Sequence, residues 1–517
     1  MKYIPTTLFF LFFAQAISAQ NIMISDEFNP NEPSIIMNPK NPAQLLAATN
    51  IDNYYISLDT GQTWTTHKMS SASGVWGDPA LMIDTAGAFY YFHLSNPIDG
   101  NWVDRIVCQK STDQGATWPT DTYTGLNGAK VQDKAWPVVN RTNNHIFITW
   151  TEFDKYNSSD PADSSKIMFS KSLDGGATWT PAKRINKVNG DCVDSDNTVE
   201  GATPAVGPNG EIYVTWAGPE GILFDRSLDE GDTWLDDDIF ISDFPQGWDY
   251  TIPGISRCNG LPITKCDLSG GTHHGTIYVN WTDQRNGEND TDVWLAKSTD
   301  GGNTWSAPIR VNDDPAGKHQ FLTWMDIDQT TGYLYFIFYD RRHYSDNQTD
   351  VYLALSKDGG QTFINRKISE TPFAPALGIF FGDYNNITVH DGIVRPIWTR
   401  LQNGQLSVWT DITPFEDIFT GTQDASANIQ QLETFPNPAS AKEKAYISFK
   451  LHEPALVSIS IYNASGQLVY QPLTQKKLAY GKHIISVDLK KLDLNAGAYF
   501  YTLDVGGEKV SKQLMVE

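Results

Sequence analysis

The 517-residue sequence has little positive charge and almost no long apolar runs. Its 38 lysines and arginines face 61 acidic residues, which gives a formal net charge of −23 at pH 7. A chain this acidic repels polyphosphates, so the net charge argues against nucleic acid or an anionic membrane surface as the main partner. The one strongly apolar run lies at the N-terminus and is too short to span a bilayer. We therefore expect no transmembrane segment.

The N-terminus instead has the composition of a secretory signal. Residues 1–19 combine Lys2, an apolar stretch from Leu8 to Ala14, and the small Ala19 at a plausible cleavage point. This pattern predicts an exported chain. A buried N-terminal helix or strand is the alternative.

Cysteine is also scarce. None of the four cysteines forms a CxxC pair, which argues against a zinc or redox site. Cys108 lies in an apolar strand and is interpreted as a buried small hydrophobe. An exported chain permits disulfides, and Cys258 and Cys266 bracket a loop rich in Gly, Pro and Asn. We predict a Cys258–Cys266 disulfide, with a bridge from Cys192 to either cysteine as the alternative.

The end of the chain differs from the rest in composition. From Thr434 onward there are ten lysines, seven acids, no arginine and no tryptophan. A change this sharp indicates a domain boundary. We predict a main body over 20–415, a linker over 416–433 and a small β-domain over 434–517.

Six segments of the main body share the pattern Ser-x-Asp-x-Gly-x-Thr-aromatic. They are Ser57–Trp64, Ser111–Trp118, Ser172–Trp179, Ser227–Trp234, Ser298–Trp305 and Ser356–Phe363. Their spacing suits one four-stranded unit with its loops. In such a turn the Asp accepts backbone N–H groups and the Gly adopts positive φ. We interpret these aspartates as structural.

Alternating strands around the motifs predict a repeated four-strand meander. Counting first strands gives seven units, from Ser34–Asn38 to Asn385–His390, and the last unit lacks both a motif and a fourth strand. Asn21–Ser25 would supply that strand and close the ring. The sequence therefore predicts an all-β chain: a seven-bladed β-propeller, with six blades as the alternative, followed by a small C-terminal β-sandwich.

The six motifs resemble those of the sialidase-like, Asp-box (BNR repeat) β-propeller superfamily over residues 21–415. The tail resembles the C-terminal sorting domain of type IX secretion cargo, through Phe435–Pro438, Ile461–Gly466 and Leu494–Tyr499. This second resemblance implies recognition by the secretion machinery and export across the outer membrane. The tail is then removed, or it anchors the chain at the cell surface. An ordinary carbohydrate-binding sandwich is the alternative for the tail.

A functional site is expected at the end of the sheets opposite the motifs, over the central channel. Arginines bind carboxylate or sulfate in a forked geometry, and aromatic rings stack on sugars. The rim predicted there carries Trp76, Asp78, His93, Asp133, Lys134, Glu200, Arg257, Arg285, Trp324, Arg341, Asp383, Tyr384 and Arg400. A network of Asp–Arg pairs that joins the blades is the alternative.

The superfamily resemblance implies a carbohydrate-active enzyme of the sialidase type acting on extracellular glycans. Such an enzyme uses a Tyr nucleophile, a carboxylate that activates it and a separate acid/base. Tyr384, Glu200 and Asp78 would take these roles. The substrate would be held by Arg257, Arg285, Arg341, Arg400, Trp76, Trp324 and Asp383. The Arg-Ile-Pro segment that the family has at the start of blade one is replaced here by Glu32-Pro33-Ser34-Ile35-Ile36.

Two other functions remain open. An ulvan-type polysaccharide lyase needs a neutralised uronate, a base for the C5 proton and an acid for the leaving oxygen. His93, Tyr384 and an arginine would supply these groups, although His93 also fits a satisfied core histidine. The third hypothesis is a glycan-binding or adhesion propeller without turnover.

One acidic loop allows a calcium site. Asp191, Asp194 and Asp196 alternate in the loop that ends at Asn197, and their oxygens suit a hard cation. The loop lacks the Gly and the distant Glu of an EF-hand, so a plain acidic loop is the alternative. None of the three functions requires a cofactor.

Overall fold

The computed structural model describes residues 20–247, 249–419, 429–451, 454–463, 466–492, 494–505 and 508–517. Nearly all of its regular structure is β-strand, and the described residues form only two short helices, α1 (Phe415–Phe419) and α2 (Leu489–Leu492). The all-β prediction is confirmed. The chain divides after Phe419 into two compact units. No helix within the described ranges is long and apolar enough to cross a membrane.

The first unit opens with β1 (Asn21–Ser25) and continues with six sheets of four consecutive antiparallel strands. Sheets 1 to 3 are β2 (Ser34–Met37), β3 (Leu45–Thr49), β4 (Asn53–Ser57), β5 (Thr65–Lys68); β6 (Gly77–Ile83), β7 (Phe89–Leu94), β8 (Ile106–Ser111), β9 (Thr122–Thr124); and β10 (Val131–Val139), β11 (Ile146–Phe153), β12 (Ser165–Ser172), β13 (Lys183–Arg184). Sheets 4 to 6 are β14 (Glu200–Val206), β15 (Ile212–Gly218), β16 (Gly221–Ser227), β17 (Ile239–Ser242); β18 (Ile263–Cys266), β19 (Ile277–Asp283), β20 (Asp292–Ser298), β21 (Ile309–Arg310); and β22 (Gln320–Asp328), β23 (Tyr333–Asp340), β24 (Asp350–Ser356), β25 (Ile364–Lys367).

Sheet 7 combines the two ends of the first unit. It contains β26 (Asn386–His390), β27 (Ile393–Gln402) and β28 (Gln405–Asp411), and β1 completes it by pairing with β28. The predicted pairing of Asn21–Ser25 with the last sheet is confirmed. First strands of successive sheets contact one another, and β2 contacts both β6 and β26, so the sheets follow each other in a closed ring.

Large aromatic side chains fill the space between the sheets. Trp150, Trp216, Trp281 and Trp398 lie on the second strands of sheets 3, 4, 5 and 7, and all are fully buried. Each indole side chain buries a large apolar surface, and this burial holds adjacent sheets together. After sheet 7, α1 packs Phe415 and Phe419 on Tyr335.

The six motifs form the turns between third and fourth strands. In the first, Asp59 accepts a hydrogen bond from the Thr63 backbone N–H at 2.9 Å and one from the Thr63 hydroxyl at 2.6 Å. The Ser57 hydroxyl donates to Asp59 at 2.8 Å and accepts the Gly61 N–H at 2.8 Å. The other five motifs repeat these bonds at Asp113, Asp174, Asp229, Asp300 and Asp358. The structural interpretation of these aspartates is confirmed.

The predicted Cys258–Cys266 disulfide is wrong. All four cysteines are buried free thiols, so the alternative bridge from Cys192 is absent as well. Cys266 is the last residue of β18, whereas Cys258 lies before the other end of that strand, where its carbonyl accepts the Tyr250 N–H. The length of β18 keeps the two thiols apart.

The second unit consists of two antiparallel sheets. One has three strands, in the order β29 (Ile429–Phe435), β30 (Lys444–Leu451) and β33 (Gly481–Asp488). The other has four, in the order β32 (Leu468–Leu478), β31 (Ala455–Asn463), β34 (Gly497–Val505) and β35 (Glu508–Val516). Side chains from both sheets, including Ile447, Val487, Ile459 and Tyr501, share one buried hydrophobic cluster.

Candidate active site

A cleft of about 490 Å³ lies at the strand ends opposite the motifs. Leu94, which lines it, ends β7, whereas the motif residue Ser111 pairs with Phe89 at the other end of that strand. Charged and aromatic side chains dominate the lining: Phe28, Glu32, Trp76, Asp78, Trp102, Asp133, Lys134, Tyr156, Arg257 and Phe380. This volume is in the range of known small-ligand sites.

A recurrent β-bulge positions the charged side chains. The pairing of the innermost strand with its neighbour shifts register between Gly77 and Ala80 in sheet 2, and at equivalent places in sheets 3, 4 and 6. The bulge residues have positive φ: 50° at Asp78, 48° at Lys134 and, at the corresponding place before β2, 51° at Glu32. Residues other than glycine adopt this region only when the surroundings enforce it, and bulges re-aim side chains. Here three successive sheets each direct one charged group into the cleft.

Lys134 lies at the centre of the charged groups. Its Nζ is 2.8 Å from Asp383 Oδ2, 3.0 Å from Asp78 Oδ2 and 3.8 Å from Glu32 Oε1. Arg257 forms a forked pair with Asp383 and lies 3.3 Å from Asp194. Burial alone would raise the pKa of Asp383, but Lys134 and Arg257 hold it well below its usual range. Asp383 is therefore the ionised anchor of both cations.

The carboxyl groups near Lys134 and Arg257 outnumber these two cations. Burial, reinforced by Asp78 and Asp194 and opposed by Lys134, raises the pKa of Asp133 to about 7. Burial also raises the pKa of Glu200 well above its usual range, and neither of its carboxyl oxygens has a partner among the described residues. The site therefore holds both ionised and protonated carboxyl groups near neutral pH.

An aromatic wall faces these charges. The rings of Trp76 and Trp102 meet edge to face at 5.8 Å, and Trp102 meets Tyr156 at 5.5 Å. Trp76 is 39% exposed and Trp102 is 41% exposed, which is high for tryptophan. Rings that are accessible in a cleft suit stacking against a sugar.

Beneath the cleft, three aromatic rings close the channel. Trp136 lies 4.7 Å from Trp324 and 5.1 Å from Tyr384. Beyond these tryptophans a second cavity of about 560 Å³ extends toward the motif end. Burial raises the pKa of Tyr384 well above its usual range, and its hydroxyl has no partner within the described part of the chain.

The structure brings together only some of the predicted site residues. Trp76, Asp78 and Arg257 line the cleft, and Asp383 lies directly beneath it. Tyr384 is buried among the closing rings together with Trp324, which also does not line the cleft. No hydrogen bond joins Tyr384 to Glu200, so the expected pair of nucleophile and activating carboxylate is not assembled.

Three of the four predicted substrate-binding arginines lie elsewhere, which corrects that expectation. Arg285 pairs with Asp283 and stacks on Trp294, with its guanidinium carbon 4.6 Å from the ring. Arg341 donates to the Pro253 carbonyl at 2.7 Å, and Arg400 donates to the Thr371 hydroxyl at 2.6 Å. Each of these three guanidinium groups already has protein partners. For Arg285 the partner is an aspartate, as the alternative interpretation of the rim as a network of Asp–Arg pairs predicts.

His93 is a core histidine and not a base in the cleft. Its Nδ1 lies 2.8 Å from the Leu94 carbonyl, and its Nε2 lies 3.2 Å from the Gln109 amide nitrogen. Burial lowers its pKa to about 4. The catalytic assignment of His93 is corrected accordingly, because both ring nitrogens are engaged inside sheet 2.

The acidic loop does not gather its carboxylates around one point. Asp191 accepts the Thr198 hydroxyl, Asp194 accepts the Tyr156 hydroxyl, and Asp196 accepts the Asp249 N–H. Within the described residues no group of His, Cys, Asp or Glu has the arrangement of a metal site. The calcium expectation for Asp191, Asp194 and Asp196 is corrected on this ground.

Sequence reasoning placed Asp133 and Lys134 on the rim but assigned them no role, and it missed Glu32, Trp102 and Tyr156. A signal for Glu32 and Lys134 was available in the repeat. Glu32, Asp78 and Lys134 each stand two residues before the position that pairs beyond the bulge, so they occupy one place in the unit.

Comparisons with known proteins bear mainly on the second unit. Residues 433–517 match the family profile of the secretion system C-terminal sorting domain. This part of the chain is such a domain, and it indicates secretion and attachment at the cell surface, as its sequence motifs predict. No curated protein sequence matches the chain.

Solved structures similar to the chain include several carbohydrate-active enzymes. The Hadza microbial sialidase Hz136 is 14% identical, with 72% of this chain and 74% of that chain covered and a TM-score of 0.41. A PL25 ulvan lyase bound to -[GlcA(1-4)Rha3S]- is 12% identical, with 75% and 95% covered and a TM-score of 0.44. The α-L-arabinofuranosidase arb93a of Fusarium graminearum is 13% identical, with 78% and 99% covered and a TM-score of 0.43. At these identities the neighbours do not define the reaction of this chain.

Proposed function

We propose that this chain is an extracellular glycoside hydrolase whose cleft binds a glycan without acid groups. The main support is that Asp78 and Asp133 line the same cleft in different electrostatic surroundings. Lys134 donates to Asp78 at 3.0 Å, whereas burial raises the pKa of Asp133 to about 7. Glycosidic hydrolysis needs two carboxyl groups in one cleft, of which one holds a proton near neutral pH.

The roles follow from those surroundings. Asp133, in its protonated form, donates its proton to the glycosidic oxygen as the bond from that oxygen to the anomeric carbon breaks. The Asp78 carboxylate either bonds to the anomeric carbon, in an intermediate that water then hydrolyses, or takes a proton from the water that attacks this carbon. Lys134 is a positioning residue that holds the Asp78 carboxylate in place and is itself held by Asp383.

The charge of the cleft favours a substrate without carboxylate or sulfate. Arg257 is the one arginine that lines the cleft within the described ranges, and its guanidinium already contacts Asp383 and Asp194. Lys134 is only 5% exposed and is engaged by three acids. A sialoside or a uronate would therefore meet acids, with no unpaired cation among the described residues that line the cleft. This favours hydrolysis of an acid-free glycan over the sialidase and lyase hypotheses.

The fold proposed around this site is a seven-bladed β-propeller followed by a β-sandwich. It is supported by the closed succession of four-stranded sheets in the first unit and by the shared core of the two sheets in the second. The sorting domain indicates secretion and attachment at the cell surface, where the first unit would meet extracellular glycans.

The test is a panel of sialosides, sulfated uronans, neutral glycans and amine-bearing glycans. Each is scored for new reducing ends and for absorbance from an unsaturated product. We expect reducing ends from a glycan without acid groups and no unsaturated product. Turnover confined to sialosides or uronans would overturn the proposal, and binding without turnover on any glycan would establish an adhesion protein instead.

A further inference from the structure

The acidic loop, residues 191–197, holds two side chains of the cleft from behind. The Asp194 carboxylate accepts the Tyr156 hydroxyl at 2.5 Å and lies 3.3 Å from Nη1 of Arg257. Tyr156 and Arg257 both line the cleft, whereas the Asp194 side chain lies behind them and is only 10% exposed. The loop therefore fixes one side of the cleft, a role that the function proposed above does not use.

The backbone of the acidic loop is shaped for this contact. Asp194 has a φ of 63°, which a residue other than glycine adopts only when its surroundings enforce it. Its N–H donates to the Thr198 hydroxyl at 3.1 Å. Cys192 forms a β-bridge with Ser158, which lies in the same loop as Tyr156. The two loops are thus joined, and the Asp194 carboxylate is directed at Tyr156.

The order of the sheets places these residues relative to the two proposed catalytic acids. Asp133 lies on β10, which pairs with β11, and Tyr156 follows the end of β11. Asp78 lies on β6 of sheet 2, whereas Asp194 precedes sheet 4 and Arg257 precedes sheet 5. Because the sheets follow each other in ring order, Tyr156 and Arg257 lie on the side of Asp133 that is away from Asp78.

The proposed reaction directs the leaving group to that side. In glycosidic hydrolysis the attacking group approaches the anomeric carbon from the face opposite the leaving oxygen. With Asp78 at the attacked face and Asp133 protonating the leaving oxygen, the leaving group extends away from Asp78 and past Asp133. The next side chains that it meets are Tyr156 and Arg257.

These two side chains suit a sugar. Nε and Nη2 of Arg257 donate to Asp383, and Nη1 donates to Asp194. A guanidinium has five N–H groups, so one N–H on each terminal nitrogen has no partner among the described residues, and the side chain is 31% exposed. Its charge is balanced by two carboxylates, which favours neutral hydroxyl groups as acceptors. Tyr156 adds an aromatic ring on which the C–H face of a sugar packs.

We propose that Tyr156 and Arg257 form the subsite for the leaving group, and that this leaving group is a neutral sugar. Asp194 is a positioning residue that holds both side chains. The inference rests on the proposed function and narrows its substrate class. The cleaved bond joins two sugars, and not a sugar and an aryl or alkyl group.

The test compares substrates that differ only in the leaving group. Fluorides of glucose, galactose, mannose and xylose, in both anomeric forms, lose a fluoride ion, whereas the corresponding homodisaccharides lose a sugar. The value of kcat/KM is measured for the full chain on each pair, and the ratio of disaccharide to fluoride reports binding of the leaving group. We expect Tyr156→Ala to lower this ratio at least about tenfold, because the variant loses contacts that only the disaccharide makes.

Further variants separate the subsite from general effects on the fold. Tyr156→Phe keeps the ring and removes the bond to Asp194, so it should lower the ratio by a smaller factor. Asp194→Ala should act mainly through a higher KM for the disaccharide, because it loosens the subsite without touching the reacting atoms. Trp76→Ala, next to Asp78, should lower kcat/KM on both substrates by the same factor. Tyr123→Ala removes an exposed tyrosine outside the cleft and should leave the ratio unchanged.

The possible failures are distinguishable. If the ratio is unchanged in Tyr156→Ala, or is lowered in Trp76→Ala instead, the inference is overturned, and hydrolysis of the fluorides leaves the proposed function intact. Hydrolysis of fluorides and aryl glycosides without hydrolysis of any disaccharide overturns the inference in the same way. If the wild type hydrolyses none of these neutral substrates, both the inference and the proposed function fail.

Discussion

The two ends of the sheets in the first unit treat their acids in opposite ways. At the motif end, each aspartate accepts a hydroxyl and a backbone N–H of its own turn, and the pattern recurs six times. These bonds lower the pKa of Asp174, for example, to about 2. At the cleft end the carboxyl groups differ from sheet to sheet, and Glu200 has no partner among the described residues.

This difference separates scaffold from site better than residue type does. A repeated acid whose partners lie within its own turn stabilises the unit, and most of its acceptor sites are already occupied. Burial and neighbouring like charges make the carboxylate form of an acid unfavourable and keep the acid partly protonated. Part of this unfavourable free energy is relieved when a ligand supplies a partner. The described sheets of the first unit share one backbone pattern, but the bulges at Asp78 and Lys134 and the equivalent position Glu32 place different charges near one point.

The largest difference between the two ends is expected in the rate of hydrolysis. Replacing Asp78 by Asn removes the proposed electron-pair donor while keeping the shape of the side chain. We expect hydrolysis to fall by about 10³-fold or more. The matched change Asp229→Asn at the motif end should leave the rate within about twofold. Comparable losses in both variants, measured as initial rates on the substrate that the panel identifies, would contradict the assignment.

The two ends should also differ in how a lost acid changes the stability of the fold. Removing an acid is expected to stabilise the cleft end and to destabilise the motif end. The pKa of Asp133 is raised to about 7 in the folded state from an ordinary 3.8. Between about pH 4 and 7 only the folded chain holds this proton, so stability falls as pH rises through that window. We expect Asp133→Asn to be more stable than the wild type at pH 8, by about 1–3 kcal/mol, and equal to it near pH 4. Denaturant unfolding at the two pH values measures this, and a variant less stable at pH 8 would contradict it.

The smallest effect is expected at a motif. Burial alone would raise the pKa of Asp358, but the hydroxyl and N–H of Thr362 lower it to about 2. Its contribution to stability is therefore present above about pH 4 and is lost as pH falls toward 2. Asp358→Ala should cost about 1 kcal/mol at pH 7, because water replaces part of the lost bonding at this partly exposed turn. An unchanged melting temperature at pH 7 would show that the turn does not need its aspartate.

Local patterns predicted the fold better than the site. The motif Ser57–Trp64 and its five repeats predict their turns because every partner lies within eight residues. The closing strand Asn21–Ser25 follows from a missing fourth strand. Lys134 gains its importance from Asp383, which is 249 positions away and brought near by ring closure. Arg341 is taken out of the site by the Pro253 carbonyl, a partner that no local pattern reveals.

The pH dependence of hydrolysis tests the central claim most directly, because it reports the protonation state of Asp133 during turnover. With Asp133 as the general acid, the wild-type rate should fall about tenfold per pH unit above pH 7. The Asp133→Asn variant should be slow and nearly independent of pH over the same range. A wild-type rate that stays level or rises between pH 6 and 9 would contradict the account.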